Sequence, residues 1–173
     1  MADENYGAGL AAPRPGAGAS AAWDARFMEL ALAIATWSKD RSRKIGCVIV
    51  GPNNEIRATG YNGFPRRVDD QPPERHERPL KYLWTEHAER NAIYNAAYSG
   101  IVIAGCRMYV PWYPCIDCAR AIVQAGIVEF IGVEPDWGDP QWSQGFHIAR
   151  EMFREAGIAV RFVDRLPPAR AFP

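Results

Sequence analysis

Between residues 23 and 163 the chain alternates short β-branched runs with segments whose apolar residues recur at helical spacing. That alternation restricts the possible folds more than any other property of the sequence. Trp23, Phe27, Leu30, Ala31, Ile34 and Trp37 share one helical face, with Ser20 placed to cap the first turn. Residues 45–50 form an apolar run, Pro52-Asn53-Asn54 is a turn, and residues 55–60 return as an antiparallel strand. Residues 62–82 hold several prolines and read as a loop. Residues 86–98 are helix-like, with a small-residue face of Ala88, Ala92, Ala96 and Ala97. Then follow a strand at 108–110, a helix at 118–125 ended near Gly126, and a strand at 129–133. A helix at 143–156 ended near Gly157 and a strand at 159–163 complete the pattern. The order α-β-β-α-β-α-β-α-β predicts an α/β fold. Its mixed sheet has parallel neighbours, covering helices and one antiparallel opening hairpin.

The 173 residues suit one domain with tails: an Ala/Gly/Pro-rich flexible extension over 1–22, a domain over 23–165 and a short tail over 166–173. Lys plus Arg and Asp plus Glu each total 20, so the net charge is zero. A broad nucleic-acid surface would show as a basic excess, and polynucleotide partners are therefore unlikely partners on charge grounds. No apolar run approaches the ~20 residues that span a bilayer, and neither a secretory leader nor a lipidation motif is visible. The expectation is a cytoplasmic protein with no membrane contact.

The cysteines are Cys47, Cys106, Cys115 and Cys118. Without secretory features, a close pair points to metal or redox chemistry rather than disulfides. Cys115 and Cys118 belong to Pro114-Cys115-Ile116-Asp117-Cys118, where a strand gives way to a helix, and His87-Ala88-Glu89 opens another helix. Cys-x-x-Cys at a helix start puts both sulfurs on one side of the first turn, where the helix dipole and a metal favour thiolate. With the His87 imidazole, these three N/S ligands suit a tetrahedral Zn²⁺ with one open position, the arrangement of catalytic rather than structural zinc. Glu89 could approach a water there without ligating, and pass protons. H-x-E followed by P-C-x-x-C is the signature of zinc-dependent deaminases. The competing reading is a closed structural zinc knuckle or a redox pair. Cys47 and Cys106 are the spare thiols for it, but each reads as a small buried residue, and a redox pair does not need His-Ala-Glu.

Several further stretches extend the match. They are Ser38-Lys39-Asp40, residues 45–50, Gly60-Tyr61-Asn62-Gly63-Phe64-Pro65, Lys81-Tyr82, residues 87–93, Met108-Tyr109-Val110 and residues 114–126. Through them the chain resembles the deoxycytidylate (dCMP) deaminases of the cytidine deaminase-like superfamily over residues 23–163. The Gly-Tyr-Asn-Gly-x-Pro segment and Asn91 narrow the resemblance to that branch. It implies a three-layer α/β/α cytidine deaminase-like fold around a five-stranded mixed sheet. It also implies Zn²⁺ on His87, Cys115 and Cys118, and Glu89 as the proton shuttle in hydrolysis of dCMP to dUMP and ammonia. Asn62 would hydrogen-bond the sugar or base edge, and the Ala88 backbone would lie beside the pyrimidine. Relatives are commonly homo-oligomers, often hexamers, and many respond to dCTP and dTTP. Where some relatives carry His and Cys for a second zinc, this chain reads Arg66-Arg67-Val68-Asp69-Asp70, so one zinc per chain is expected. Glu86 replaces the Cys or other small residue that many relatives have before His-Ala-Glu.

A nucleotide substrate needs cations for its phosphate. The 38–44 loop holds Lys39, Arg41, Arg43 and Lys44, with Arg66 and Arg67 as a second cluster. Arg43 is the candidate anchor, because guanidinium pairs bidentately with phosphate, and Ser38 could add a hydroxyl. Each charge taken singly reads slightly more readily as solvated surface than as a phosphate contact. Tyr113 and Pro114, with Trp112, form an aromatic wall that either stacks on a base or fills core. Trp84 and residues 71–83 could line the specificity pocket. His76 reads as solvated and His147 as structural. Three functions stay open: dCMP deamination, the same chemistry on another amino-heterocycle (nucleoside, base or modified dCMP), or a non-catalytic zinc-stabilised module.

Overall fold

The structure, a computed structural model, describes residues 21–163. Ser20, the rest of the extension before it and residues 164–173 lie outside the described residues. Ala21 and Ala22, assigned by composition to the extension, form the first turn of helix α1 (Ala21–Ala35). Strands β1 (Gly46–Val50) and β2 (Ile56–Tyr61) follow, then a 3₁₀ turn (Pro73–His76) and helices α2 (Lys81–Trp84) and α3 (Ala88–Tyr98). The rest is β3 (Arg107–Tyr109), α4 (Ile116–Gln124), β4 (Glu129–Gly132), α5 (Ser143–Glu155) and β5 (Ala159–Phe162). The supposed 62–82 loop therefore holds a 3₁₀ turn and the first residues of α2. Neither leaves a periodic signal, because each is about one turn long.

The strands form one five-stranded sheet in the order β2-β1-β3-β4-β5. β1 is antiparallel to both β2 and β3, whereas β3–β4 and β4–β5 are parallel. The parallel pairs need crossovers, which α4 and α5 supply. Both helices stop just ahead of Gly126 and Gly157, which sit at φ +72° and +69°, a conformation open to residues without a Cβ.

Every residue of β1 is buried because both sheet faces are covered. Cys47 and Ile49 point to one face, joined there by Met108, Phe130, the Ala88-Ala92-Ala96 stripe of α3, and Phe146 and Phe153 of α5. Val48 and Val50 point to the other, with Tyr109, Ile131 and the Phe27, Met28 and Ala31 side of α1. The result is three layers, with α1 alone on one face and α3, α4 and α5 on the other. Ala97 lies off the four-residue stripe and is exposed. Trp37 falls past the end of α1 in a turn closed by Trp37 N–H to Ile34 O at 3.1 Å, and is exposed too. Asp24 of α1 accepts from the Tyr109 hydroxyl at 2.8 Å and from Arg161 of β5 at 2.7 Å, tying α1 across the sheet. Among the described residues no helix is long and apolar enough to cross a membrane.

Candidate active site

Local chain geometry brings the two motifs together. His87 is the N-cap of α3 in extended conformation, and Cys115 is the N-cap of α4. α4 thus starts two residues earlier than periodicity alone suggests, which puts both sulfurs in its first turn. α3 and α4 pack side by side on the sheet, so their N-terminal ends meet. His87 Nδ1 lies 3.4 Å from Cys115 Sγ and 3.4 Å from Cys118 Sγ. A tetrahedral zinc with ordinary Zn–N and Zn–S bonds sets N and S about 3.5 Å apart, so this donor set fits the ion. Among the described residues it is the group of His, Cys, Asp and Glu that could hold a metal, and it has three members. Cys47 and Cys106 are buried elsewhere in the core and do not join it.

The electrostatics suit a soft dication. A hydrogen bond from Cys118, opposed by burial and aided by His87, draws the Cys115 thiol down to about 3. The same sulfur–sulfur contact, with burial, pushes Cys118 up. The Cys115 contact raises His87 against the effect of burial. Glu89, in the first turn of α3, is 4% exposed. Burial pushes its carboxyl up, with the His87 charge opposing.

A cavity of about 270 Å³ adjoins this group, with His87, Ala88, Glu89 and Cys115 in its lining. Of the expected substrate contacts, Asn62, Ala88, Arg43 and Tyr113 line it; Ser38 and Pro114 do not. Asn62 also holds its own loop. Its Oδ1 accepts the Ile45 N–H at 2.8 Å and its Nδ2 donates to Arg43 O at 2.9 Å. Ser38 is buried and donates to Asn62 O at 2.7 Å. Tyr113 packs edge-on against Phe130, Trp137 and Phe146, and its buried hydroxyl has no partner among the described residues. Arg43 stacks on Trp112 at 3.7 Å. Two other cations of its loop are turned to acids, Lys39 to Asp70 at 2.6 Å and Arg41 to Glu77 at 3.4 Å. Arg66 and Arg67 line a second cavity of about 360 Å³, whose wall at Asp40, Lys81 and Thr85 is shared with the first.

Sequence reasoning left two groups without a role of their own: Arg78 fell within the 71–83 stretch that could line the specificity pocket, and Asp40 and Lys81 were matched without being paired. Arg78 lines the first cavity; it lies over the Tyr82 ring at 6.0 Å and pairs with no acid among the described residues. The buried Lys81–Asp40 ion pair, at 2.8 Å, forms the wall between the cavities. Both depend on the path of an aperiodic loop, and no local signal marks them.

The family model for the cytidine and deoxycytidylate deaminase zinc-binding region matches residues 21–134, which contain the whole His87–Cys115–Cys118 group. The chain belongs to that deaminase family. It is 39% identical over 144 residues to the deoxycytidylate deaminase of Mus musculus, covering 80% of this chain and 78% of that one. The Homo sapiens deoxycytidylate deaminase is 38% identical over the same length and shares. An uncharacterized deaminase of Aliivibrio fischeri is 35% identical over 142 residues, covering 82% of this chain and 93% of that one. The apo crystal structure of a dCMP deaminase from the cyanophage S-TIM5 superimposes with TM-score 0.63 at 25% identity, over 81% of this chain and 96% of that one. The protein is thus a zinc-dependent deaminase with the cytidine deaminase-like α/β/α fold, and one zinc ion fits its His/Cys/Cys group.

Proposed function

We propose that this deaminase converts dCMP to dUMP with release of ammonia. The observation that carries the reading is the cavity itself. His87, Cys115 and Glu89 line it, and so do Arg43 and Arg78, two guanidinium groups with no acid partner among the described residues. A base beside the metal group and a phosphate on the guanidinium groups match that division of charge. The deoxycytidylate deaminases among its relatives support the same substrate.

Zinc held by His87, Cys115 and Cys118 supplies the Lewis acidity that makes a water nucleophilic near neutral pH. Glu89 takes the proton from the attacking water and passes it to N3 of the cytosine as the C4–O bond forms. It then takes the remaining proton of the C4 hydroxyl and delivers it to the amine; the C4–N bond breaks as the C4 carbonyl forms, and ammonia leaves. Burial suits Glu89 to this double duty, because a carboxyl kept from water yields and regains a proton more evenly. The Ala88 backbone lies against the pyrimidine. Asn62 lines the cavity for the sugar or base edge while keeping Arg43 in place through the Arg43 carbonyl.

Regulation and assembly belong to the same reading. Arg66 and Arg67 in the second cavity support a dCTP or dTTP effector there. Exposed Trp37, Tyr61, Tyr94 and Tyr98 support burial against further copies in a homo-oligomer, a hexamer by family resemblance. Four free thiols and a nucleotide substrate suit the cytoplasm.

The test is ammonia release from dCMP, deoxycytidine, CMP and cytosine. dCMP should be turned over fastest. Arg43→Ala and Arg78→Ala should each raise KM for dCMP by about tenfold or more, the worth of a charge-assisted phosphate contact, and leave deoxycytidine unaffected. Equal turnover of deoxycytidine and dCMP by the wild type would overturn the phosphate assignment. Glu89→Gln should retain zinc and fold but lose turnover; an active Glu89→Gln enzyme removes the proton shuttle.

A further inference from the structure

The reaction as described uses no atom of Arg90, one turn into α3. Yet its guanidinium bonds Glu86, the residue before His87, and Glu86 Oε1 accepts the His87 backbone N–H at 3.0 Å. On its other side Arg90 Nη1 reaches Asp117 Oδ2 at 3.7 Å, and Asp117 stands between the two cysteines. One cation therefore spans both segments that carry metal ligands. An ordinary exposed i,i+4 pair explains neither the reach to Asp117 nor the state of Nε. That nitrogen is buried and has no hydrogen-bond acceptor among the described residues, which a native protein seldom leaves without cause. Burial opposes the charge on Arg90, and the charges of Cys118, Glu86 and Cys115 outweigh it.

We propose that Arg90 is a positioning residue for the metal centre: it braces the two ligand-bearing segments through Glu86 and Asp117 and holds a half-buried cation beside the turn that carries the sulfurs. Two thiolates and Glu89 place more negative charge here than one dication cancels. A neighbouring cation lowers the donor strength of the sulfurs and leaves the metal more electrophilic. Outer partners of metal ligands commonly act in this way. The role rests on the His87–Cys115–Cys118 ligand set assigned above.

The test uses the full chain loaded with Co²⁺ in place of Zn²⁺, read by the thiolate-to-cobalt absorption band and by the rate at which a chelator strips the metal. Arg90→Leu should move the band to longer wavelength, because a thiolate without a nearby cation gives up its electron more readily. It should also speed stripping about 10–100-fold. Arg90→Lys, which keeps the cation and loses the fork, should return the band toward the wild-type position. Glu86→Gln should speed stripping alone, and it keeps the test open if Arg90→Leu fails to fold. An unmoved band in Arg90→Leu, a band that Lys does not restore, or stripping unchanged in Glu86→Gln overturns the role. Absence of a thiolate band in the wild-type protein would instead remove the ligand set, and the role of Arg90 with it.

Discussion

At Gly60 an added Cβ would meet the Ala92 backbone nitrogen at 2.3 Å and the Ala88 carbonyl oxygen at 2.5 Å. α3 rides that close to β2, and its first turn carries His87 and Glu89. Gly60→Ala should destabilise the protein by about 1–3 kcal/mol, the usual cost of overpacking, and lower kcat by displacing Glu89; denaturant unfolding and steady-state rates check both. Tyr113→Phe should do the opposite. The lost hydroxyl is buried without a partner among the described residues, and burial, opposed by the Arg150 charge, pushes it up to about 12. Relieving such a group is neutral or stabilising by about 1 kcal/mol, with dCMP turnover kept. A large loss of turnover in Tyr113→Phe would show that the hydroxyl serves the substrate. The residues nearest the chemistry were legible because their signal is local: both motifs put ligands in the first turn of a helix, a geometry set within four residues. Arg90 was not, and Arg78 only as part of the 71–83 stretch, since their surroundings depend on what the fold lays beside them.

Among elements, the turn after α1 and the short helix α2 were the least legible and hold the most consequential ion pair. Lys81 of α2 donates to both Asp40 oxygens, at 2.9 and 2.8 Å, and the two side chains are each 8% exposed. Asp40 also accepts the backbone N–H groups of Ser42 and Arg43. Burial pushes the Asp40 carboxyl up, but the Lys81 and backbone hydrogen bonds together with the Lys81 charge hold it below its ordinary 3.8. A carboxyl depressed by folding contributes stability that is present above the unfolded value and lost as pH falls through the folded one. Asp40→Ala should therefore cost about 3 kcal/mol at neutral pH, because it strands the buried ammonium. The gap to the wild type should close as pH drops below 3.8; a gap independent of pH would mean that Asp40 acts only by shape. The strands were legible for the opposite reason: runs such as 46–50 are apolar throughout because both faces of the sheet are covered.

For the molecule as a whole, the metal is a tertiary link. It joins the N-terminal ends of α3 and α4, which lie 28 and 31 residues apart along the chain at the His87–Cys115 and His87–Cys118 contacts. A ligand bound only by the folded state stabilises it by about 4 kcal/mol at a thousandfold excess over Kd. Stripping zinc should accordingly lower Tm, and the loss should shrink as free zinc is restored. A Tm indifferent to chelation would mean that the two helix ends are held by packing alone. Alternating periodicity and two short motifs sufficed to specify the α/β class, the five-stranded mixed sheet and the zinc chemistry, since each depends on neighbours within a few residues. Three things came only from the tertiary structure: that Arg78 faces the cavity beside Arg43, how Lys81 and Asp40 divide it from its neighbour, and where Arg90 braces the metal group. Each joins segments that approach one another only after the sheet and its helices have packed, and no pattern within one segment encodes the position of another.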